Sequence, residues 1–311
     1  MIYRAPLCKG GLWKGNPMKE RTIYALGFFD GVHLGHQALL KACRHLADRH
    51  GCFAGVVTFT SHPDGLVLGK APAFINTLYD RKQLLSEYEV DTAVCLPFDE
   101  NLMFKSWQDF LEDLTKKGGS GFVCGEDFRF GHKGEGTAEK LAAFCEERGL
   151  PYVIVSQQEL DGTRVSSTYI RSLLEAGKME EAVRFLGHPH ILSGIVVKGR
   201  GLGHTIGIPT ANLALPAGVI CPKKGVYASK AMVDGQVYPA LTNIGNRPTV
   251  DGESITVETW IPDFAGDLYG KGLRLELYKF IREERKFPNL AALKEEIQKN
   301  KEEIFHFFGK N

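Results

Sequence analysis

The sequence predicts an α/β chain of two domains: a doubly wound parallel sheet, then a small antiparallel β-domain closed by a C-terminal helix. Three observations predict it. From Arg21 to about Gly177, apolar strand-like runs alternate with helix-period segments. After Gly187 the texture changes to closely spaced strands. The length of 311 residues is that of about two average domains.

The elements follow in order. Thr22–Gly27 reads as a buried strand, and Gly35–His50 as a helix with Ala38, Leu39, Ala42, Leu46 and Ala47 along one face. Phe53–Phe59 is a second apolar run, and Thr77–Glu89 a helix with Thr77 as N-cap and Asp80 at the capping-box position. Strand Thr92–Phe98, helix Ser106–Lys117, strand Gly121–Cys124, helix Thr137–Arg148 and strand Tyr152–Val155 continue the alternation. Helix Ser167–Ala176 ends it, with Gly177 as C-cap. In the second half Ile191–Lys198, Gly225–Val233, Val237–Asn243, Ile255–Ile261 and Leu273–Phe280 read as strands of a small barrel or sandwich. Asp234-Gly235 is a hairpin signal, and Ala291–Phe308 an amphipathic helix. The boundary is expected near Gly187–Pro189.

Composition narrows the function classes. A hydrophobic fraction of 43% and a charged fraction of 24% suit ordinary globular cores. A net charge of +1 argues against non-specific nucleic-acid binding but leaves small anionic ligands open. Seven cysteines, none in a C-x-x-C pair, suggest reduced thiols rather than a disulfide or zinc framework. No apolar run approaches the roughly 20 residues of a membrane span. Met1–Met18 lacks an apolar core for a signal peptide; a short arm and a start-site extension both remain open.

Two segments carry chemistry in the first half. Gly27-Phe28-Phe29-Asp30-Gly31-Val32-His33-Leu34-Gly35-His36 lies between the first strand and the first helix. Its glycines let backbone approach a ligand, and a helix N-terminus offers N–H groups to a phosphate. Two imidazoles three residues apart could neutralise one phosphate during transfer. This H-x-G-H resembles the signature of nucleotidylyltransferases, although two histidines in a turn can equally be solvated side chains. Gly125–Gly131 ends a later strand, and Arg164-Val165-Ser166-Ser167-Thr168-Tyr169-Ile170-Arg171 opens a helix. The latter reads either as a second anion clamp or as a capped helix with a surface arginine.

In the second half, Gly207-Ile208-Pro209-Thr210-Ala211-Asn212 follows the glycine-rich stretch Lys198–Gly207, which could form a flap. Thr210 and Asn212, two residues apart on an extended chain, present hard oxygens suited to Mg²⁺ and its phosphates. A turn followed by a strand is the plainer reading.

G-x-F-D-G-V-H-x-G-H, G-x-D-F-R-F-G and S-S-T-x-I-R occur in this order. P-T-A-N, Gly225-Val226-Tyr227-Ala228, the run Asn243–Thr249, Val257-Glu258 and Arg282-x-Glu284-x-x-Phe287 follow. Together they resemble the prokaryotic bifunctional riboflavin kinase/FAD synthetase family from about Thr22 to Ile304. The resemblance implies a Rossmann-like nucleotidylyltransferase (FMN adenylyltransferase) domain over residues 1–186. A small antiparallel β-barrel riboflavin kinase domain with a C-terminal helix would occupy 187–311. It implies that His33 and His36 contact ATP phosphates, that Gly27, Phe29 and Asp30 shape the nucleotide pocket, and that Asp127, Arg164, Ser167, Thr168 and Arg171 help hold nucleotide and FMN phosphates. In the kinase half it implies that Thr210 and Asn212 bind Mg²⁺ and ATP phosphates, while Glu258 orients and deprotonates the ribityl 5′-hydroxyl. Substrates would be ATP, riboflavin and FMN, in the cytoplasm, with no nucleic-acid or membrane partner. Neither reaction requires a covalent enzyme intermediate.

The chain departs from the family pattern at five places. Thr60-Ser61 stands where the family has Asp-Pro in T-F-D-P-H-P. His204 replaces a frequent arginine, Ile208 a phenylalanine, Trp260 a histidine and Asn300 an aspartate. Three rivals follow: a kinase with an impaired adenylyltransferase domain, a different nucleotidylyltransferase joined to an unrelated barrel, and a non-catalytic flavin-binding regulator.

Overall fold

The computed structural model describes residues 21–67, 69–199, 203, 207–249, 252–262 and 264–309. Residues 1–18, His204 and much of the Lys198–Gly207 stretch lie outside the described residues. The chain divides into two compact units. One holds the described residues up to Pro72 together with Arg81–Ser166, and the other holds Ala73–Asp80 together with the described residues from Ser167 on.

The first unit is built on β1 (Thr22–Leu26), β2 (Phe53–Phe59), β3 (Thr92–Leu96), β4 (Gly119–Gly125) and β5 (Tyr152–Val155). They form one parallel sheet in the order β3-β2-β1-β4-β5. Alternate residues of a strand face opposite sides. Tyr24 and Leu26 join the apolar cluster made with Phe110, Leu111 and Leu114 of α5 (Trp107–Lys116) and Leu141, Phe144 and Cys145 of α6 (Ala138–Arg148). Ile23 and Ala25 point the other way, where α1 (Leu34–His50) buries Leu39, Leu40, Cys43, Leu46 and Ala47. The Cys43 thiol reaches the carbonyl of Ile23 at 3.2 Å, which seats α1 on the sheet. The expected doubly wound sheet is therefore present.

Short elements fill the connections: α2 (Pro63–Val67), α3 (Leu78–Glu87), α4 (Glu100–Met103) and the two-stranded ribbon β6 (Glu159–Leu160) with β7 (Thr163–Arg164). Thr77 caps α3 as expected: its hydroxyl accepts from Asp80 N at 2.9 Å and donates to Asp80 Oδ2 at 2.6 Å.

The second unit contains α7 (Ser167–Ala176), α8 (Met179–Leu186) and a closed six-stranded barrel. Its strands are β8 (His190–Val197), β9 (Thr210–Leu213), β10 (Gly225–Val233), β11 (Gln236–Thr249), β12 (Gly252–Trp260) and β13 (Gly272–Arg282), in the cyclic order β10-β11-β12-β9-β8-β13. The choice between barrel and sandwich falls to the barrel. Asp234 (φ 48°) and Gly235 (φ 80°) make the tight left-handed turn between β10 and β11.

The last helix, α9 (Leu290–Phe307), is capped by the Asn289 side chain, which accepts from Ala292 N at 2.8 Å. Ile304 of α9 packs with Val226, Ala228, Leu241 and Trp260 on the outer face of the barrel. Residues of opposite parity point inward, and there three buried hydroxyls form a ladder. Ser229 donates to Ala240 O at 3.0 Å, Ser229 and Thr242 hydroxyls lie 2.8 Å apart, and Thr242 and Thr259 hydroxyls 2.9 Å apart.

The elements absent from the sequence reading include α2, α4, α8 and the β6–β7 ribbon, and the strand left open for P-T-A-N is β9. β11 also runs six residues past the expected Asn243, to Thr249, because β12 continues in register with it as far as Gly252.

Candidate active sites

In the sheet order β3-β2-β1-β4-β5, the chain winds outward on one side of β1 and on the other side of β4. Ligands of such sheets bind at this switch, outside the carboxyl ends of the strands. The H-x-G-H segment follows the carboxyl end of β1, and Gly125–Gly131 follows that of its neighbour β4. Two motifs separated by about a hundred residues of sequence are thus loops on adjacent strands at one crevice.

The turn carrying the histidines is strained. Phe29 (φ 55°), Gly31 (φ 79°) and Val32 (φ 40°) are all left-handed. For a non-glycine residue that conformation costs on the order of 1–3 kcal/mol, most for a β-branched side chain. His33 caps α1: its Nδ1 accepts from His36 N at 3.4 Å, which places the proton of the neutral ring on Nε2. The two imidazoles stack with centroids 3.7 Å apart, and Phe29 lies tilted under His36 at 5.1 Å. A Cβ at Gly35 would come within 3.2 Å of the His33 ring, so any larger residue there would have to push the imidazole aside by a few tenths of an ångström. A Cβ at Gly27 would meet the Phe29 ring at 3.2 Å. Phe29 and Asp30 are fully buried and act on the site by shaping the loop. Burial, then the charges of His33 and Arg81, hold His36 well below the usual imidazole range.

Sequence reading missed Arg81. It sits in α3, 1% exposed, and its Nη1 lies 3.1 Å from Phe28 O, 3.0 Å from Phe59 O and 3.3 Å from Thr58 Oγ1. Nη2 is 4.0 Å from Asp30 Oδ1, and Thr58 donates to Phe28 O at 2.7 Å. The altered Thr60-Ser61 loop is tied to β3: Thr60 N donates to Leu96 O at 2.9 Å, and the Ser61 hydroxyl accepts from Phe98 N at 3.2 Å. The neighbouring His62 ring packs 4.9 Å from Phe28.

Asp127 and Arg164 form an ion pair, both about half exposed. Such a pair is worth about 0–1 kcal/mol, so an incoming phosphate can take the arginine at little cost. Ser167 and Thr168 start α7 in the other unit, where the Arg171 Nε donates to Ala73 O at 2.8 Å.

On the outer face of the barrel, register aligns the second set. Glu258 pairs across strands with Asn212 on one side and Asn243 on the other, and Trp260 pairs with Thr210. P-T-A-N is thus the start of a strand, and Thr210 and Asn212 share a face. A cavity of about 370 Å³ lies between this face and α9, lined by Thr210, Glu258, Asn243, Trp260, Phe287 and Ile297 among others. A second, of about 310 Å³, has Thr210 on its wall as well, with Phe264, Asp267 and Tyr269. Asn212 borders a third recess with Lys198. A side chain at Gly199 would overlap the Asn212 amide, so the chain passes very close to it.

The departures at Ile208 and Trp260 both line the first cavity. Asn300 accepts from Arg282 Nε at 3.0 Å, while Glu296 supplies the carboxylate, 3.2 Å from Arg282 Nε and 2.5 Å from Arg285 Nη2. The neutral amide at 300 is compensated one turn earlier on the same helix.

Residues 16–169 match the FAD synthetase family and residues 186–308 the riboflavin kinase family. Curated relatives named bifunctional riboflavin kinase/FMN adenylyltransferase match nearly end to end. The Escherichia coli K12 protein is 37% identical over 94% of each chain, and the Bacillus subtilis protein 36% over 94% of each.

This chain belongs to the bifunctional riboflavin kinase/FMN adenylyltransferase family.

The family's relative in Listeria monocytogenes is 34% identical over 93% of each chain. A solved structure from Streptococcus pneumoniae, described as a macrolide-efflux protein, superposes with a TM-score of 0.82 at 30% identity, over 93% of this chain and 94% of that one. Among the described residues, no helix is long and apolar enough to cross a membrane.

Proposed function

We propose that the chain phosphorylates riboflavin to FMN with one ATP and adenylylates FMN to FAD with a second, acting in the cytoplasm on small-molecule substrates only. The observation that supports it is that H-x-G-H and Gly125–Gly131 follow adjacent strands of the parallel sheet, while Thr210, Asn212 and Glu258 share one face of the barrel. We assign residues 1–186 to adenylylation and 187–311 to the kinase.

In the kinase step riboflavin occupies the cavity under α9, and ATP the cavity walled by Phe264 and Tyr269. Thr210 borders both, so the γ-phosphoryl group crosses beside it. Glu258 orients the ribityl 5′-hydroxyl and takes its proton. The new O–P bond forms as the bond to the ADP oxygen breaks. The Thr210 hydroxyl and Asn212 Oδ1 are the groups that would hold Mg²⁺. The Asn212 amide nitrogen turns to Thr210 O at 3.5 Å, which leaves its oxygen for a cation. Neutral hard donors plus substrate phosphates suit that ion, which when bound supplies charge neutralisation to the transferred group.

In the second step an FMN phosphate oxygen attacks the α-phosphorus of ATP, and the bond to the pyrophosphate oxygen breaks. His33 and His36 donate to the phosphates from the head of α1, and the loop with Gly27, Phe29 and Asp30 fixes their position. Arg164, paired with Asp127 in the free protein, takes one of the remaining phosphates.

A chromatographic time course with riboflavin, ATP and Mg²⁺ tests this: FMN must appear first, then FAD. FMN alone would leave only a kinase, and unaltered bound riboflavin would leave a flavin-binding regulator.

A further inference from the structure

The H-x-G-H turn is strained, and among the groups that hold it is one buried cation that is no part of the motif. Arg81 reaches the carbonyl of Phe28, which enters the turn, and the carbonyl of Phe59, which ends β2. It also meets Thr58 Oγ1 and the buried carboxylate of Asp30. A single planar fork thus joins the ends of two strands to the left-handed Phe29–Val32 segment from which His33 and His36 project.

Resting on the adenylylation reading above, we propose that Arg81 is the positioning residue of that site: its guanidinium ties the Phe28 and Phe59 carbonyls together and so holds the left-handed turn from which His33 and His36 project.

The test uses the full chain with FMN, ATP and Mg²⁺, measuring kcat and KM for FAD formation in Arg81→Gln and Arg81→Lys, with riboflavin phosphorylation assayed beside them. Arg81→Gln lowers kcat about tenfold or more with the KM for FMN within about threefold and the kinase step intact, because geometry rather than binding is lost. Arg81→Lys, which keeps a cationic donor, recovers part of that loss. Wild-type kcat in Arg81→Gln, or a loss that falls on KM alone, overturns the role of Arg81. A wild-type chain that makes no FAD overturns the adenylylation reading itself. Should Arg81→Gln not fold, Arg81→Lys decides on the same split between kcat and KM.

Discussion

Glu258 stands directly across the β9–β12 pair from Asn212, in register, with Trp260 and Thr210 facing each other two residues on. A carboxylate and the candidate metal-holding amide are thus fixed by backbone hydrogen bonding, not by loop geometry. Replacing Glu258 with Gln keeps the shape and removes the base. FMN formation should fall about 10²–10⁴-fold, the usual contribution of general-base catalysis, while FAD formation from added FMN is unchanged. Parallel assays with riboflavin and with FMN check both halves of this expectation.

His33→Ala should do the opposite. It removes a phosphate donor and the cap of α1, so FAD synthesis should drop about 10²–10³-fold, with riboflavin phosphorylation intact. Equal loss of both activities would show that the two sites are not separate.

Trp260 and Phe287 are the two aromatic walls of the cavity under α9. Riboflavin binding should quench Trp260 emission, and Trp260→Phe should abolish that part of the quenching. Loss of the larger ring should raise the riboflavin KM several-fold, about 1 kcal/mol of stacking. Unchanged quenching would move the flavin out of this cavity.

His190 begins β8 at 0% exposure, and among the described residues neither of its ring nitrogens has a hydrogen-bond partner. Burial, and then the charge of His188, push its pKa from 6.5 down to about 3. The unfolded chain therefore binds this proton first as pH falls. Stability contributed by the neutral ring is complete above 6.5 and drains away between there and about 3. Denaturant unfolding at stepped pH should show that slope for the barrel transition, and His190→Leu should flatten it. At neutral pH the same variant should stabilise by about 1–3 kcal/mol, since two unsatisfied polar atoms leave the core.

Local signals made much of this fold legible. Buried parallel strands read as plain apolar runs, and the capping box at Thr77 and Asp80 and the Asp234-Gly235 turn need only their own neighbours. P-T-A-N was ambiguous because β9 exists only through its pairing with β12 and β8. The extension of β11 was hidden for a similar reason, since Gly245 and Asn246 look like turn residues until the partner strand is known. The eight residues of α8, directly behind the Gly177 cap, passed as a connection. Arg81 was the least legible: a charged residue in an amphipathic helix looks solvated, and its partner carbonyl at Phe28 lies 53 residues away.

The hydroxyl ladder inside the barrel has a consequence for the catalytic face outside it. Ser229 spends its proton on Ala240 O, so Thr242 donates to Ser229 and Thr259 to Thr242. If β11 slipped by one residue, Leu241 would turn inward and Thr242 outward. Ser229 and Thr259 would then each lose a partner in the dry interior, a penalty of about 1–3 kcal/mol apiece. Misaligned barrels are rejected from within by three small side chains. The alignment they select also sets Asn243 opposite Glu258.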